Sequence, residues 1–236
     1  MIRKVLLGVL LLGSTACAVR LGGSKPEEYQ TLALAVPDGA STGDVADLVK
    51  ETGAQIVLLT ANQDSAWFDE LATATGLALS GPGRTEPDAK GFLTNLEILG
   101  DTSIVLGVAD GTRMHMHDAL YQIEEGRDID LMFARINPDS DLRSAARTLL
   151  AYVASDVGPT AAIMLAIDAP TTQAADSVAV LLRAAWSTAR ECAGADAPSP
   201  ERVRLYYGPS ARVRCVRARP VNYEGMPIIA DLVVGR

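Results

Sequence analysis

The stretch Ala161 to Pro170, AAIMLAIDAP, sets an acid at the end of a short apolar run and closes it with proline. Such a run reads as a buried strand opening into a loop. Loops at strand ends carry much of the chemistry of α/β proteins, so Asp168 is the first candidate site residue. Upstream, TLALAV from Thr31 is a second buried strand and AQIVLLT, Ala54 to Thr60, a third. Between them Val45, Leu48 and Val49 share a helical face that Gly53 ends, and after Asp64 a second helix turns Phe68, Leu71 and Ala72 inward.

The middle is rich in strands: residues 77–80, 91–94, 103–108, 119–124 and 129–135. Strands in unbroken succession imply antiparallel pairing. A helix from Asp141 carries Leu142, Ala146, Leu149, Leu150 and Val153 as its inner stripe, and another runs from Thr172 to about Ala189. Three strands, 202–207, 211–218 and 227–234, close the chain. The expected fold class is α/β, two mixed sheets packed face to face with helices on the outside.

Residues 1–18, MIRKVLLGVLLLGSTACA, have two basic residues, an apolar core and a small-residue end, the pattern of an export signal. Cleavage before Cys17 would leave a lipid-modified cysteine, giving a membrane-anchored lipoprotein of the bacterial cell envelope. Cleavage after Ala18 would release a periplasmic or secreted protein. Residues 19–30 read as a tether and 31–236 as one domain. The whole chain has 21 basic and 29 acidic residues; without Arg3 and Lys4, 19 remain against 29, a net charge of −10. Nucleic acid is not an expected partner of so acidic a protein. Cys192 and Cys215 are a disulfide candidate in an oxidising compartment, with two unpaired buried thiols as the alternative.

In element order and short motif frames, the chain resembles the endonuclease/exonuclease/phosphatase superfamily, the metal-dependent phosphoesterases of the DNase I kind. The resemblance implies a four-layer sandwich. It also implies that catalytic positions have been replaced. The frame Gly-Asp-x-Asn keeps its acid as Asp168, but its Asn is Pro170. The strand that ends in Leu-Gln-Glu, whose Glu anchors the metal, ends here in Leu59, Thr60 and Ala61, and the first strand's Asn frame holds Ala35 and Val36. Arg135 stands for the His of Thr-His-Leu, and Arg204 for the Asp of Arg-Ile-Asp-Tyr. In the closing Ser-Asp-His-x-Pro frame, Tyr223, Glu224, Gly225, Met226 and Pro227 keep one acid and the proline while the general-base His is Gly225.

Without that Glu and both histidines, water activation by the family's mechanism has no agents. No catalytic residue is assigned; only the family-matching acids Asp168 and Glu224 remain. Arg135 and Arg204 are expected beside Asp168, either as ion pairs that fill the cleft or as an anion site. Two weaker signals are His115 and His117, which share one strand face without a third ligand, and an arginine stripe between Arg202 and Arg219. The loop Gly81 to Arg84 lacks the context of a phosphate loop, and Ser140 has no His in any motif frame.

The expectation is an exported, lipid-anchored module that binds or supports rather than catalyses, a pseudoenzyme without metal or cofactor. Its partners would be the membrane, through the N-terminal lipid, and an unknown protein or a small anionic ligand. Two rivals remain: a phosphodiesterase or phosphatase rebuilt around Asp168 and Glu224, which would need Mg²⁺ or Mn²⁺, and an envelope interaction protein using another surface.

Overall fold

A computed structural model describes residues 27–80, 89–109, 112–125, 127–137, 141–158, 160–194, 202–224 and 226–235. The expected export signal with Cys17, the loop Gly81 to Arg84, Ser140 and Gly225 lie outside the described residues.

The elements follow as β1 (Glu27–Ala35), α1 (Thr42–Thr52), β2 (Ile56–Ala61), α2 (Ser65–Thr75), β3 (Ala78–Ser80), β4 (Ala89–Thr94), β5 (Glu97–Ala109), β6 (Thr112–Glu124) and β7 (Arg127–Arg135). Then come α3 (Leu142–Tyr152), a π-helical turn (Val153–Val157), β8 (Ala162–Asp168), α4 (Thr172–Leu182), β9 (Ser187–Thr188) and α5 (Ala189–Ala193). The chain closes with β10 (Val203–Pro209), β11 (Val213–Pro220) and β12 (Ile228–Val234). One sheet has the order β11-β12-β1-β2-β4-β3, the other β5-β6-β7-β8-β10-β9. Among the described residues only β1–β2 and β7–β8 pair in parallel, so both sheets are mixed as the element order predicts.

Three apolar layers hold the sheets. Ile56, Leu58, Phe92, Phe133, Met164 and Leu232 meet between them. Leu34, Val57 and Leu59 pack under α1 and α2, while Met132, Ile163 and Leu165 pack under α3 and α4. A strand covered on both faces buries every residue, which is why β2 and β8 read as continuous apolar runs instead of alternating ones. Helix starts are fixed by side-chain caps: Ser41 accepts from the Asp44 N–H, Asp64 from Trp67, Asp141 from Arg143 and Ser144, and Thr171 from Ala174.

Several boundaries differ from the sequence reading, and two of these differences alter the path of the chain. β1 begins at Glu27, so the last four residues of the expected tether are strand. They pair with β12 from Glu27↔Val234 onward, and the buried Tyr29 makes that pairing worthwhile. The helix expected to reach Ala189 stops at Leu182. Buried Trp186 turns the chain into β9, where Thr188 and Glu191 form a reciprocal capping box that starts α5. Gly208 sits against this turn at φ 137°, and a Cβ there would lie 3.1 Å from the Ala185 carbonyl oxygen. A disulfide between Cys192 and Cys215, whose Cα atoms are 6.1 Å apart, ties α5 to β11.

Candidate functional site

The inner-face register of the strands converges at one end of the sandwich. Ile56 and Leu58 of β2, Leu131 and Phe133 of β7, and Met164 and Ala166 of β8 fill the space between the sheets. The next residues on the same face are Thr60, Arg135 and Asp168, which emerge where the packing stops. Parallel pairing sets Arg135 directly opposite Asp168. The result is a cleft of about 550 Å³, closed on the first sheet's side by Ala35 to Asp38, Thr60 to Asn62 and Glu224, and on the second's by Arg135, Asp168 and Arg202.

Asp168 is 1% exposed and fully engaged. Arg202 donates to it through a two-pronged fork, Nε to Oδ1 at 2.8 Å and Nη2 to Oδ2 at 3.0 Å, and the Nε of Arg135 lies 3.4 Å from Oδ2. The backbone locks the arrangement, with Ile136 N–H donating to the Asp168 carbonyl and Ala169 N–H to that of Arg202. The hydrogen bond to Asp168 raises the Arg202 pKa above its usual value against the opposing effect of burial, and the charges of Asp168 and Asp38 add to the rise. Three carboxylates, Asp38, Asp168 and Glu224, line the cleft against two guanidiniums. That surplus of negative charge works against an anion between the arginines.

The sequence reading put Arg204 beside Asp168, and the structure places it elsewhere. Val203 and Leu205 face the space between the sheets, so strand alternation turns Arg204 to the helix side, where its guanidinium hydrogen-bonds Asp176 of α4. Arg202, which precedes the strand and escapes its alternation, takes the role instead. The anion site drawn from Arg135 and Arg204 is therefore not assembled. Glu224 does reach the cleft, as an exposed side chain on the loop before β12, held by Val221 N–H to Pro227 and Met226 N–H to Tyr223.

A divalent cation of the kind phosphoesterases use does not fit these residues. Both Asp168 oxygens face guanidiniums, and β2 ends in Thr60 and Ala61 with Asn62 next, none of them a carboxylate. Among the described residues no three His, Cys, Asp or Glu side chains come together to hold a metal ion. His117 stacks on Phe92 with centroids 5.1 Å apart and shares a hydrogen bond with the Thr102 carbonyl, while His115 bonds Ser103. The arginine stripe divides in the same way. Arg217 clamps buried Asp231 through Nε at 2.7 Å, whereas Arg212, Arg214 and Arg219 are exposed on or beside the edge strand β11.

No family model and no curated protein matches this sequence. Solved structures do match. An endonuclease/exonuclease/phosphatase family protein from Bacteroides thetaiotaomicron superposes with a TM-score of 0.72 at 10% identity, covering 90% of this chain and 100% of its own. One from Bacteroides vulgatus gives 0.69 at 12%, covering 88% and 99%. The mannosyl-6-phosphatase of Bacteroides thetaiotaomicron gives 0.67 at 10%, covering 87% and 99%. With the two mixed sheets and outer helices, these likenesses establish that the chain has the endonuclease/exonuclease/phosphatase fold.

Proposed function

We propose that this protein is a non-catalytic member of the phosphoesterase fold, exported and held at the bacterial cell envelope by a lipid on Cys17. One observation carries the non-catalytic reading: the buried acid at the cleft is neutralised by Arg202 and Arg135, where a phosphoesterase needs it free for a cation. A carboxylate gripped by a guanidinium fork is no ready metal ligand, and displacing the fork would leave the cation to compete with two fixed positive charges.

Export is supported by the signal pattern of residues 1–18, and the Cys192–Cys215 bond suits an oxidising compartment. The surplus of acid in the cleft weighs against a small anionic ligand there, which leaves partner binding or structural support as the role.

The test is hydrolysis of p-nitrophenyl phosphate and bis-p-nitrophenyl phosphate with Mg²⁺, Mn²⁺ or Ca²⁺. No turnover above the metal-only background is expected. Turnover that disappears in Asp168→Ala would overturn the reading and establish the rebuilt-site hydrolase.

A further inference from the structure

We propose that the pocket on the helix-facing side of β5, β6 and β7 binds an organic cation, an alkylammonium or guanidinium group. It lies away from the cleft just described: Asp130, on its wall, pairs with Ile163 near the start of β8, whereas Arg135 pairs with Asp168 at the far end of the same strands. Its volume is about 290 Å³.

Asp118 and Asp130 stand diagonally on one sheet face, because Asp118 pairs with Met132 while Leu120 pairs with Asp130. Both are more than nine-tenths buried, at 5% and 8% exposure, and both line the pocket. Asp118 Oδ2 accepts a 2.6 Å hydrogen bond from Tyr152, but its Oδ1 is buried with no hydrogen-bond partner among the described residues. The Asp130 carboxylate has no hydrogen bond or salt bridge to any described residue. Two adjacent buried carboxylates without a cation are costly, and either a bound proton or a bound cation relieves them.

The surroundings favour a cation with an apolar body. Asp156 adds to the acidic wall, no Lys, Arg or His among the described residues lines the pocket, and the π-helical turn that ends at Val157 points the negative end of its helix here. Leu120, Val157 and the ring of Tyr152 supply flanks for an alkyl stem. A bare divalent ion fits less well, since no metal-holding trio exists among the described residues and the space far exceeds one ion.

The groups around Asp130 are Asp118 from β6, Asp128 on its own strand, Tyr152 from α3 and Asp156 from the π-helical turn, while Asp101 lies on the other face of β5, opposite Ala119 and beside Tyr121. Burial, and then the charges of Asp118 and Asp128, push the Asp130 carboxyl up to about 7. A folded-state value above the ordinary 3.8 means that the empty protein loses stability as pH rises through neutrality. A cation replaces that proton, so its binding tightens over the same range.

Calorimetric titration of the purified protein with n-butylammonium, n-butylguanidinium and CaCl₂ at pH 6 and pH 8, beside melting curves, tests this. At least one organic cation should bind at a single site, at least fivefold more tightly at pH 8, and more tightly than Ca²⁺. Asp130→Asn should weaken binding at least tenfold while melting no lower than wild type, since it removes only a buried charge. The blocked peptide acetyl-Ala-Lys-Ala-amide separates the sources: binding tenfold tighter than butylammonium assigns a protein side chain, and equal or weaker binding a free amine. Absence of saturable binding by either organic cation, tighter binding of Ca²⁺, or unchanged affinity in Asp130→Asn would overturn the proposal.

Discussion

At the scale of single residues, the cleft is decided by which partner of each ion pair is buried. Asp168 is 1% exposed, whereas the side chains of Arg202 and Arg135 are 43% and 29% exposed. Removing the acid therefore leaves two cations that water still reaches, while removing Arg202 leaves a buried carboxylate with only the longer Arg135 contact. Breaking a buried pair from the side that strands its charge costs about 3 to 5 kcal/mol, and the half-open rim with Arg135 in reserve lowers this to roughly 2 kcal/mol. Arg202→Ala is thus expected to destabilise more than Asp168→Asn, as read by urea denaturation at pH 7. An equal or smaller loss in Arg202→Ala would show that the fork is not what neutralises Asp168. The acid itself was legible in AAIMLAIDAP, and so was Arg135, one strand away on the same face. Arg204 was preferred because a motif frame counts residues, whereas strand parity turns it to the helix side; Arg202 has the same parity and reaches the cleft only because it lies before β10 begins. The apolar neighbours Val203 and Leu205 already said which way Arg204 must face.

At the scale of elements, buried runs were readable and exposed ones were not. β2 and β8 are apolar throughout because helices cover one sheet face and the opposite sheet the other. β5 belongs to an edge, exposes Ile98, Leu99 and Val105, and runs 13 residues where the sequence signal covered only 103–108. The turn after α4 was hidden for a different reason, since the helical period continues past Leu182 and only the packing of Trp186 and the capping box at Thr188 interrupt it. The short α5 makes the disulfide the main tie of this corner to β11. Its bond closes a loop with a sequence separation of 23, for which chain entropy gives about 3 kcal/mol. Reduction, or Cys192→Ser with Cys215→Ser, should lower the melting temperature by roughly 5 °C or more for a domain of this size. An unchanged melting temperature would mean that α5 is held by packing alone.

At the scale of the whole molecule, the endonuclease/exonuclease/phosphatase fold holds a cleft filled by ion pairs, and residues 1–18 are proposed as an export signal. A lipid at the N-terminus would hold the domain at the membrane surface through the short segment before β1. Cys17→Ser is expected to move the protein from the membrane fraction to the soluble one, and unchanged membrane fractionation would contradict the lipid anchor. The central claim concerns the cleft, and a crystal structure grown in Mn²⁺ tests it most directly through the metal's anomalous scattering. The account predicts Arg202 still forked on Asp168, with no manganese within coordinating distance of that carboxylate. Manganese bound between Asp168 and Glu224, with Arg202 swung away, would contradict it.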